Sequence, residues 1–238
     1  MKKVFLVYGH YNDKSFNAAI KEEFINTVKE NGNEVDVVDL YKEKFNPVYA
    51  GEKPDEIVLD HQKRIEASDV IVLIAPIWNF RMPAILEGWI DKVLAPPWAF
   101  KFKKIFGNYG YPVGNLKGKK AIVFCTYGSP QFAIRTFFLN MPTKRLRRGV
   151  FNICGITNVI YKRYFAVPFV SDDKRKKFLK DVKKTANNLV VTGSVTISGS
   201  STLTNYGQFT NQGNATITGR VVANDYFTIK KPEVKKEV

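Results

Sequence analysis

Residues 3–28, "KVFLVYGHYNDKSFNAAIKEEFINTV", decide the fold. The apolar run that ends at Tyr8 is rich in β-formers and predicts a strand buried on both faces of a parallel sheet. Ser15 is a preferred N-cap residue, and apolar residues then recur at helical spacing until Gly32 supplies a stop. The stretch therefore predicts a strand, a polar loop and a helix, which is the first unit of an α/β fold.

The same alternation of strands and helices continues to about residue 190. Further strands are predicted at "EVDVVDL", "DVIVLIAPIW", "KKAIVFCTY" and near "NVIYKRYFAV". Further helices are predicted at "PDEIVLDHQKRIEAS", "PAILEGWIDKVL" and "SDDKRKKFLKDVKKTANNL". Repeated strand-helix units imply one domain, residues 1–190, with a five-stranded parallel sheet and helices on both faces.

A different composition, rich in Thr, Ser, Gly and Asn, follows Leu189. Apolar residues recur there every six positions, at Ile197, Leu203, Phe209, Ala215, Val221 and Phe227. A hexad is the period of a β-helix, so residues 191–229 are predicted to form a short β-helix-like segment and residues 230–238 a charged flexible tail. Such a short segment cannot cover its own ends, so we expect it to dock on a partner or on the main domain. The alternative is a disordered linker.

The overall composition favours a globular protein. Of 238 residues, 45% are hydrophobic, which is enough for a sizeable core. The formal net charge of +15 would attract anionic partners, or it reflects solvated lysines only. Cys125 and Cys154 lie in apolar settings and are interpreted as buried thiols, so a cytoplasmic location is expected.

Several classes of function are disfavoured by the sequence. No run of 18 apolar residues occurs, so no membrane insertion is expected. The basic runs "TKRLRRG" and "KRKKFLKDVKK" come without a nucleic-acid-binding motif, so no nucleic-acid partner is expected. Two histidines, two separated cysteines and no H-E-x-x-H or C-x-x-C spacing predict no metal site.

Ligands of open parallel sheets bind beyond the carboxyl ends of the strands. The first such loop, "GHYNDKSFN", contains no glycine-rich nucleotide fingerprint. Instead, Ser15 and the free N–H groups of Phe16 and Asn17 would bind an anion at the positive end of the helix, with His10 and Lys14 as further donors. The alternative is that Ser15 only caps its helix.

The loop after the third strand, "PIWNFRMP", contains two aromatic residues where a soluble protein ordinarily has polar turn residues. Trp78 and Phe80, together with Pro76, would stack against a flat ring. The alternative is that these aromatic residues plug the edge of the sheet.

Four blocks of residues resemble the flavin-dependent NAD(P)H:quinone reductases of flavodoxin-like fold, a family that includes the quinone-reductase-like ancillary subunits of potassium efflux systems. They are "H-x4-S-F-N" at residues 10–17, "DLY" with a following "FNP" at 39–47, "PIWNFRMPAILEGWIDKVL" at 76–94 and "CTYGSP" at 125–130. The resemblance covers about residues 3–190. It implies a doubly wound sheet of strand order 2-1-3-4-5.

The resemblance also implies a bound FAD or FMN. The phosphates of the flavin would lie against His10, Ser15, Phe16 and Asn17. Its ring would lie over Pro76, Ile77, Trp78, Asn79 and Phe80. The other side of the site would be closed by Thr126, Tyr127 and Gly128. In FAD-binding members an arginine reaches the dinucleotide, and Arg175 stands at the matching place. Trp98, Ala99 and Phe100 would form part of the wall over the ring, where nicotinamide and quinone bind in turn.

The activity implied by the resemblance is hydride transfer from NAD(P)H to the flavin N5, followed by two-electron reduction of a quinone in a ping-pong sequence. A homodimer is implied, in which the second subunit completes the site. The animal enzymes have a tyrosine and a histidine for proton transfer, whereas "SPQFAIRTFFLN" has neither, so no catalytic residue is assigned. The alternative function is a redox-sensing regulatory or scaffold protein that assembles or docks through its tail.

Overall fold

The computed structural model describes residues 1–107 and 109–189. The predicted hexad segment and charged tail lie outside the described residues. The strands are β1 (Lys3–Tyr8), β2 (Glu34–Asp39), β3 (Val70–Pro76), β4 (Phe100–Phe106), β5 (Tyr109–Gly114), β6 (Lys120–Thr126) and β7 (Asn158–Tyr164). The helices are α1 (Phe16–Glu30), α2 (Glu56–Ala67), α3 (Ala84–Val93), α4 (Gln131–Thr136), α5 (Met141–Lys144) and α6 (Asp172–Asn187), with a π-helical segment at Arg145–Phe151.

Five parallel strands form the central sheet in the order β2-β1-β3-β6-β7. The prediction of a five-stranded parallel sheet is confirmed, and β6 and β7 are its predicted fourth and fifth strands. Alternate residues of β1 point to opposite faces: Phe5 and Val7 pack towards α2 and α3, whereas Leu6 and Tyr8 pack towards α1 and α6. Both faces are therefore covered, which explains why β1, β3 and β6 are apolar almost throughout.

The chain between α3 and β6 forms an antiparallel hairpin of β4 and β5, which the sequence pattern did not indicate. Its residues are largely exposed, and Phe102, Ile105, Phe106 and Tyr109 have exposed fractions of 64%, 69%, 81% and 79%. β4 alternates lysine with phenylalanine only over its first four residues, β5 contains no lysine, and neither strand has a buried face, so the hairpin lacks the continuous apolar run of a central strand.

A buried polar group, His61, lies in the core between α2 and α3. Its Nδ1 accepts a hydrogen bond from Trp89 Nε1 at 3.1 Å, so its proton is on Nε2, which faces Glu43 Oε2 at 3.2 Å. The His61 ring stacks on Phe45 at a centroid distance of 5.9 Å. Burial, with a smaller contribution from Arg64, lowers the pKa of His61 to about 4.

This buried histidine predicts a loss of stability in acid. The unfolded chain takes up a proton on His61 below its ordinary pKa of 6.5, while the folded chain does so only below about 4. Stability from this group is therefore complete above pH 6.5 and declines as the pH falls towards 4, by up to about 3 kcal/mol. Urea unfolding across this range measures the slope, and His61→Gln, which does not titrate, is expected to flatten it. An equal slope in the variant would refute the assignment.

Candidate functional site

The carboxyl ends of β1, β3 and β6 meet at one edge of the sheet, and hydrogen bonds join the loops that follow them. Gly9 N donates to Ile74 O at 3.0 Å, and Ile77 N donates to Thr126 O at 2.8 Å. The Thr126 hydroxyl donates to Asn17 Oδ1 at 3.1 Å, with both side chains buried. These contacts bring the predicted anion-binding loop, the aromatic loop and the "TYGSP" loop to a single place.

The start of α1 has the geometry of an anion site. Ser15 Oγ accepts a hydrogen bond from Ala18 N at 3.2 Å and so caps the helix. The first-turn N–H groups of Phe16 and Asn17 have no carbonyl one turn earlier in the helix, and they point towards the open edge. The hydroxyl of Tyr8 lies 3.4 Å from Ser15 Oγ, and burial raises the pKa of Tyr8 to about 12, so it stays neutral beneath the site. Capping by Ser15 leaves the other donors available for a ligand.

His10 and Lys14 lie in the same loop. His10 Nδ1 lies 3.2 Å from Asn12 N and 3.3 Å from Asn12 O, so this ring nitrogen is engaged by its own loop. Lys14 is exposed, and its backbone N donates to Asn12 Oδ1 at 2.8 Å. The Asn12 turn thus sets the shape of the loop and leaves the Nε2 side of the His10 ring and the Lys14 ammonium group for a ligand.

The aromatic loop after β3 is a closed two-residue turn. Trp78 N donates to Arg81 O at 2.7 Å and Arg81 N donates to Trp78 O at 2.9 Å. Asn79 and Phe80 both have left-handed backbones, with φ of 48° and 64°. Asparagine tolerates this conformation, whereas phenylalanine is strained in it, and such strain is typical of functional sites. The turn leaves Trp78 42% exposed beside the carboxyl edge.

Aromatic rings connect the two loops. The His10 ring centroid lies 4.8 Å from that of Tyr11 and 5.9 Å from that of Trp78. Tyr11 is also 6.2 Å from both Trp78 and Tyr41. Sequence reasoning did not single out Tyr11 and Tyr41, although Tyr11 stands inside the loop and Tyr41 inside the "DLY" block. The rings are tilted against one another, and the exposed Tyr11 and Trp78 give this edge an aromatic surface.

The loop after β6 closes the opposite side. Tyr127 N donates to Tyr164 O at 2.8 Å, and Val167 N donates to Tyr127 O at 3.0 Å. The Tyr127 side chain is buried, and burial raises the pKa of its hydroxyl. A Cβ on Gly128 would meet no heavy atom within 4 Å, so the backbone there borders open space.

Arg175 lies in the first turns of α6 at the same edge of the sheet. Its Nε and Nη2 donate to Val167 O at 3.3 and 3.1 Å, and its Nη1 contacts Asp172 Oδ1 at 2.6 Å. Val167 is bonded to Tyr127, so Arg175 adjoins the site. Its guanidinium is already engaged by its own loop.

The predicted wall over the ring does not lie at the carboxyl edge of the sheet. It consists of Trp98, Ala99 and Phe100. Trp98 Nε1 donates to Glu66 Oε1 at 2.7 Å, and Lys119 Nζ donates to the carbonyl of Glu66 at 3.0 Å. Glu66 is near the end of α2 and Lys119 precedes β6, so this contact is at the amino edge of the sheet. Ala99 is fully buried and Phe100 begins β4. Within one chain, the structure does not bring these three residues to the three loops.

The described ranges contain neither a candidate metal centre nor a candidate membrane-spanning helix. Among residues 1–107 and 109–189, no group of three or more His, Cys, Asp or Glu side chains is placed to hold a metal ion. None of the helices in these ranges combines the length and apolarity needed to cross a bilayer. The arrangement at the carboxyl edge instead suits an organic ligand with an anionic end and a flat ring.

Comparisons with known proteins agree with this geometry. A family model described as a flavodoxin-like fold matches residues 2–189. An NAD(P)H oxidoreductase of Haemophilus influenzae, itself uncharacterised, is 32% identical over 186 residues, which cover 74% of this chain and 89% of the relative. Human ribosyldihydronicotinamide dehydrogenase [quinone] is 26% identical over 204 residues, covering 74% and 86%.

A solved structure shows the same fold. The FMN-dependent NADH-azoreductase of Bacillus anthracis, in complex with FMN, superposes with a TM-score of 0.64 over 79% of this chain and 99% of that one, at 18% identity. The family model and the relatives indicate one family, and the solved structure has the fold of that family. This chain therefore belongs to the flavodoxin-like family that includes the NAD(P)H:quinone reductases.

Proposed function

We propose that this protein is a flavin-dependent oxidoreductase that takes a hydride from NAD(P)H and reduces a quinone or a similar two-electron acceptor. The observation that carries the proposal is that a capped helix amino terminus and an exposed aromatic turn meet at Thr126. Its carbonyl accepts from Ile77 N, next to the turn, at 2.8 Å, and its hydroxyl donates to Asn17 Oδ1 of α1 at 3.1 Å. The names of the relatives supply the substrate classes, NAD(P)H and quinone.

The residues present fit a flavin. The first-turn N–H groups of α1 with His10 and Ser15 suit its phosphate, and the exposed face of Trp78 suits its ring. The open backbone at Gly128 leaves room for the other side of the ring. The full proposed set is His10, Ser15, Phe16, Asn17, Pro76, Ile77, Trp78, Asn79, Phe80, Thr126, Tyr127, Gly128 and Arg175. A bound flavin would supply a group that accepts two electrons with a proton and passes them on.

The proposal covers either FAD or FMN. Arg175 bears on the choice, because only FAD has the second phosphate and the adenosine that could reach α6. Its guanidinium would have to exchange its contact with Asp172, 2.6 Å away, for a ligand phosphate. Weaker FAD binding with unchanged FMN binding in Arg175→Ala would support a role at the dinucleotide.

Nicotinamide and quinone would use the same space, in ping-pong order. Trp98, Ala99 and Phe100 lie at the amino edge of their own chain, so we propose that a second copy supplies the missing wall in a homodimer. The exposed hairpin of β4 and β5, with Phe102 64% exposed, is the element long enough to cross to a partner. The site of one chain would then be completed by the other.

We propose that solvent supplies the proton that the acceptor takes up together with the hydride. Tyr127 is the nearest candidate, but its hydroxyl is buried and bonded to Thr143, and burial raises its pKa. It therefore stays protonated and faces the protein interior. The chain's role is to hold the reactants in line and to exclude water from one side of the ring.

Steady-state kinetics test the proposal. NAD(P)H oxidation by the purified protein is expected to require added or co-purified flavin and a quinone such as menadione. Initial rates at several quinone concentrations should give parallel double-reciprocal lines, as ping-pong order demands. Converging lines would retain the reductase and reject that order, whereas no oxidation by flavin-loaded protein would reject the function itself.

A second candidate function is a redox-sensing scaffold that docks through its tail. The observation that favours it is the position of the end of α6, which lies beside the end of α1 and away from the site. There Asn187 Oδ1 accepts a hydrogen bond from Asn31 Nδ2 at 2.9 Å. Deleting residues 191–238 is expected to preserve turnover. Loss of assembly with full turnover would support docking, whereas loss of both would make the tail structural.

A further inference from the structure

An open groove lies between α4, α5 and the π-helical segment, and no residue of the proposed flavin site lines it. We call it the α4–α5 groove; its volume is about 460 Å³. Apolar side chains and cationic side chains line it together. The lining residues are Phe137, Phe138, Leu139, Met141, Lys144, Arg145, Arg148 and Gly149.

The apolar part of the groove is held in solvent by a strained turn. Leu139 and Asn140 are consecutive left-handed residues, with φ of 50° and 55°. Arg163 Nη1 donates to Asn140 Oδ1 at 3.2 Å and so fixes the turn. As a result, Phe137, Leu139 and Met141 are 75%, 63% and 53% exposed. Strain that keeps apolar surface exposed is unfavourable for folding and indicates a binding surface.

The groove is continuous with the candidate functional site. The rings of Phe138 and Phe80 are in contact, with centroids 4.4 Å apart. Phe80 belongs to the strained turn between Trp78 and Arg81 that presents the aromatic surface. A flat molecule stacked at that turn would therefore extend onto Phe138 and into the groove.

The three cationic side chains of the groove differ in whether they form an ion pair. Arg145 forms a bidentate ion pair with Glu87, whose Oε1 also accepts from Met82 N at 2.9 Å. Lys144 and Arg148 are exposed and form no ion pair with any residue in 1–107 or 109–189. Two positive charges are therefore available beside the apolar floor, and the groove matches a ligand that is both aromatic and anionic.

We propose that the α4–α5 groove selects aromatic two-electron acceptors that carry a negatively charged substituent, such as a sulfonate or carboxylate. The inference rests on the proposed function and names its substrate class. In the reaction, NAD(P)H loses a hydride and becomes NAD(P)⁺. The acceptor gains those two electrons and that proton, together with one proton from solvent, and becomes the hydroquinone. Lys144 and Arg148 bind the anionic substituent, which is unchanged by the reaction.

Paired acceptors test the proposal. Menadione is neutral, whereas 1,4-naphthoquinone-2-sulfonate has a similar ring system and one negative charge. We expect the ratio of their kcat/KM values, sulfonate over menadione, to fall about 3- to 10-fold in the double variant Lys144→Gln, Arg148→Gln, since each exposed charge contributes modestly. The same ratio should fall with added salt in the wild type only.

A matched control removes a charge elsewhere. Lys29→Gln changes an exposed lysine in the last turn of α1, at the opposite edge of the sheet, and should leave both rates and their ratio unchanged. Comparing ratios within one protein also cancels the difference in reduction potential between the two acceptors.

The outcomes separate the two proposals. An unchanged ratio in the double variant, with menadione still reduced, would overturn the groove assignment and leave the reductase intact. An equal fall for both acceptors, accompanied by a change in oligomeric state, would also overturn it, because the groove would then be an interface between copies. Reduction of neither acceptor by flavin-loaded wild type would refute the proposed function itself.

Discussion

Ser15→Asp is expected to weaken FMN binding by at least about 100-fold while the protein stays folded. Aspartate is as good an N-cap residue as serine, so the hydrogen bond from Ala18 N, now 3.2 Å from Ser15 Oγ, can be kept. The new carboxylate would stand where the ligand phosphate is proposed to bind. A pair of like charges about 4 Å apart costs roughly 4 kcal/mol at an effective dielectric constant of 20.

The matched control is the other serine-capped helix. Ser171 Oγ accepts from Lys174 N at 3.3 Å at the start of α6. Ser171→Asp introduces the same charge at the same position of a helix, but FMN has no adenylate to reach it. Fluorescence titration with FMN measures both variants. Equal affinities for Ser15→Asp and the wild type would show that the start of α1 holds no phosphate.

Gly88→Ala is expected to lower the free energy of unfolding by about 3 kcal/mol or to prevent folding, the upper end of the usual cost of overpacking. A Cβ at Gly88 would lie 2.1 Å from the carbonyl oxygen of Pro47 and 2.5 Å from its Cα. These are backbone atoms, so the loop after β2 would have to move as a unit. Gly88 is buried in α3, which begins just after the aromatic turn, and the change would therefore also disturb the site.

A glycine without such a neighbour provides the control. A Cβ at Gly149 would meet no heavy atom within 4 Å, so Gly149→Ala should change stability by less than about 1 kcal/mol. Thermal unfolding of both variants is the measurement. If Gly88→Ala unfolded at the same temperature as the wild type, the distance between α3 and the "FNP" segment would have to be larger than it is in the structure.

The three central strands, β1, β3 and β6, were predictable because they are buried on both faces, and the edge strand β2 was predictable from its alternation of apolar and polar residues. Continuous apolar runs such as that of β3, buried at every position, have no other stable place in a soluble domain. The helices α1 and α6 were predictable from their serine caps and their spacing. The hairpin of β4 and β5 was not, because its exposed residues follow no burial pattern.

The candidate site was predictable in its parts. Ser15 is a recognisable helix cap and Trp78 is unusual for a turn, and both follow the ends of parallel strands, where ligands bind. The Thr126–Asn17 bond between residues 109 positions apart has no local signal. The α4–α5 groove was equally hidden, since its exposure depends on two left-handed residues, Leu139 and Asn140, that are not glycines.

The position of the "PPWAF" segment relative to the site could not be predicted from the sequence. Sequence resemblance aligned Trp98, Ala99 and Phe100 with a wall over the ring, but a linear pattern does not say which copy of the chain supplies it. The bond from Trp98 to Glu66, 2.7 Å long, puts the segment at the amino edge of its own chain. Its proposed role therefore depends on a second copy.

Absorbance spectroscopy shows whether the joined loops hold a flavin that takes electrons from NAD(P)H. The purified protein, with FMN or FAD added if none co-purifies, is titrated with NADH or NADPH without oxygen and then with menadione. We expect a flavin spectrum that bleaches on reduction and recovers with the quinone. Failure of the protein to bind either flavin, or a bound flavin that neither nicotinamide nucleotide bleaches, would contradict it.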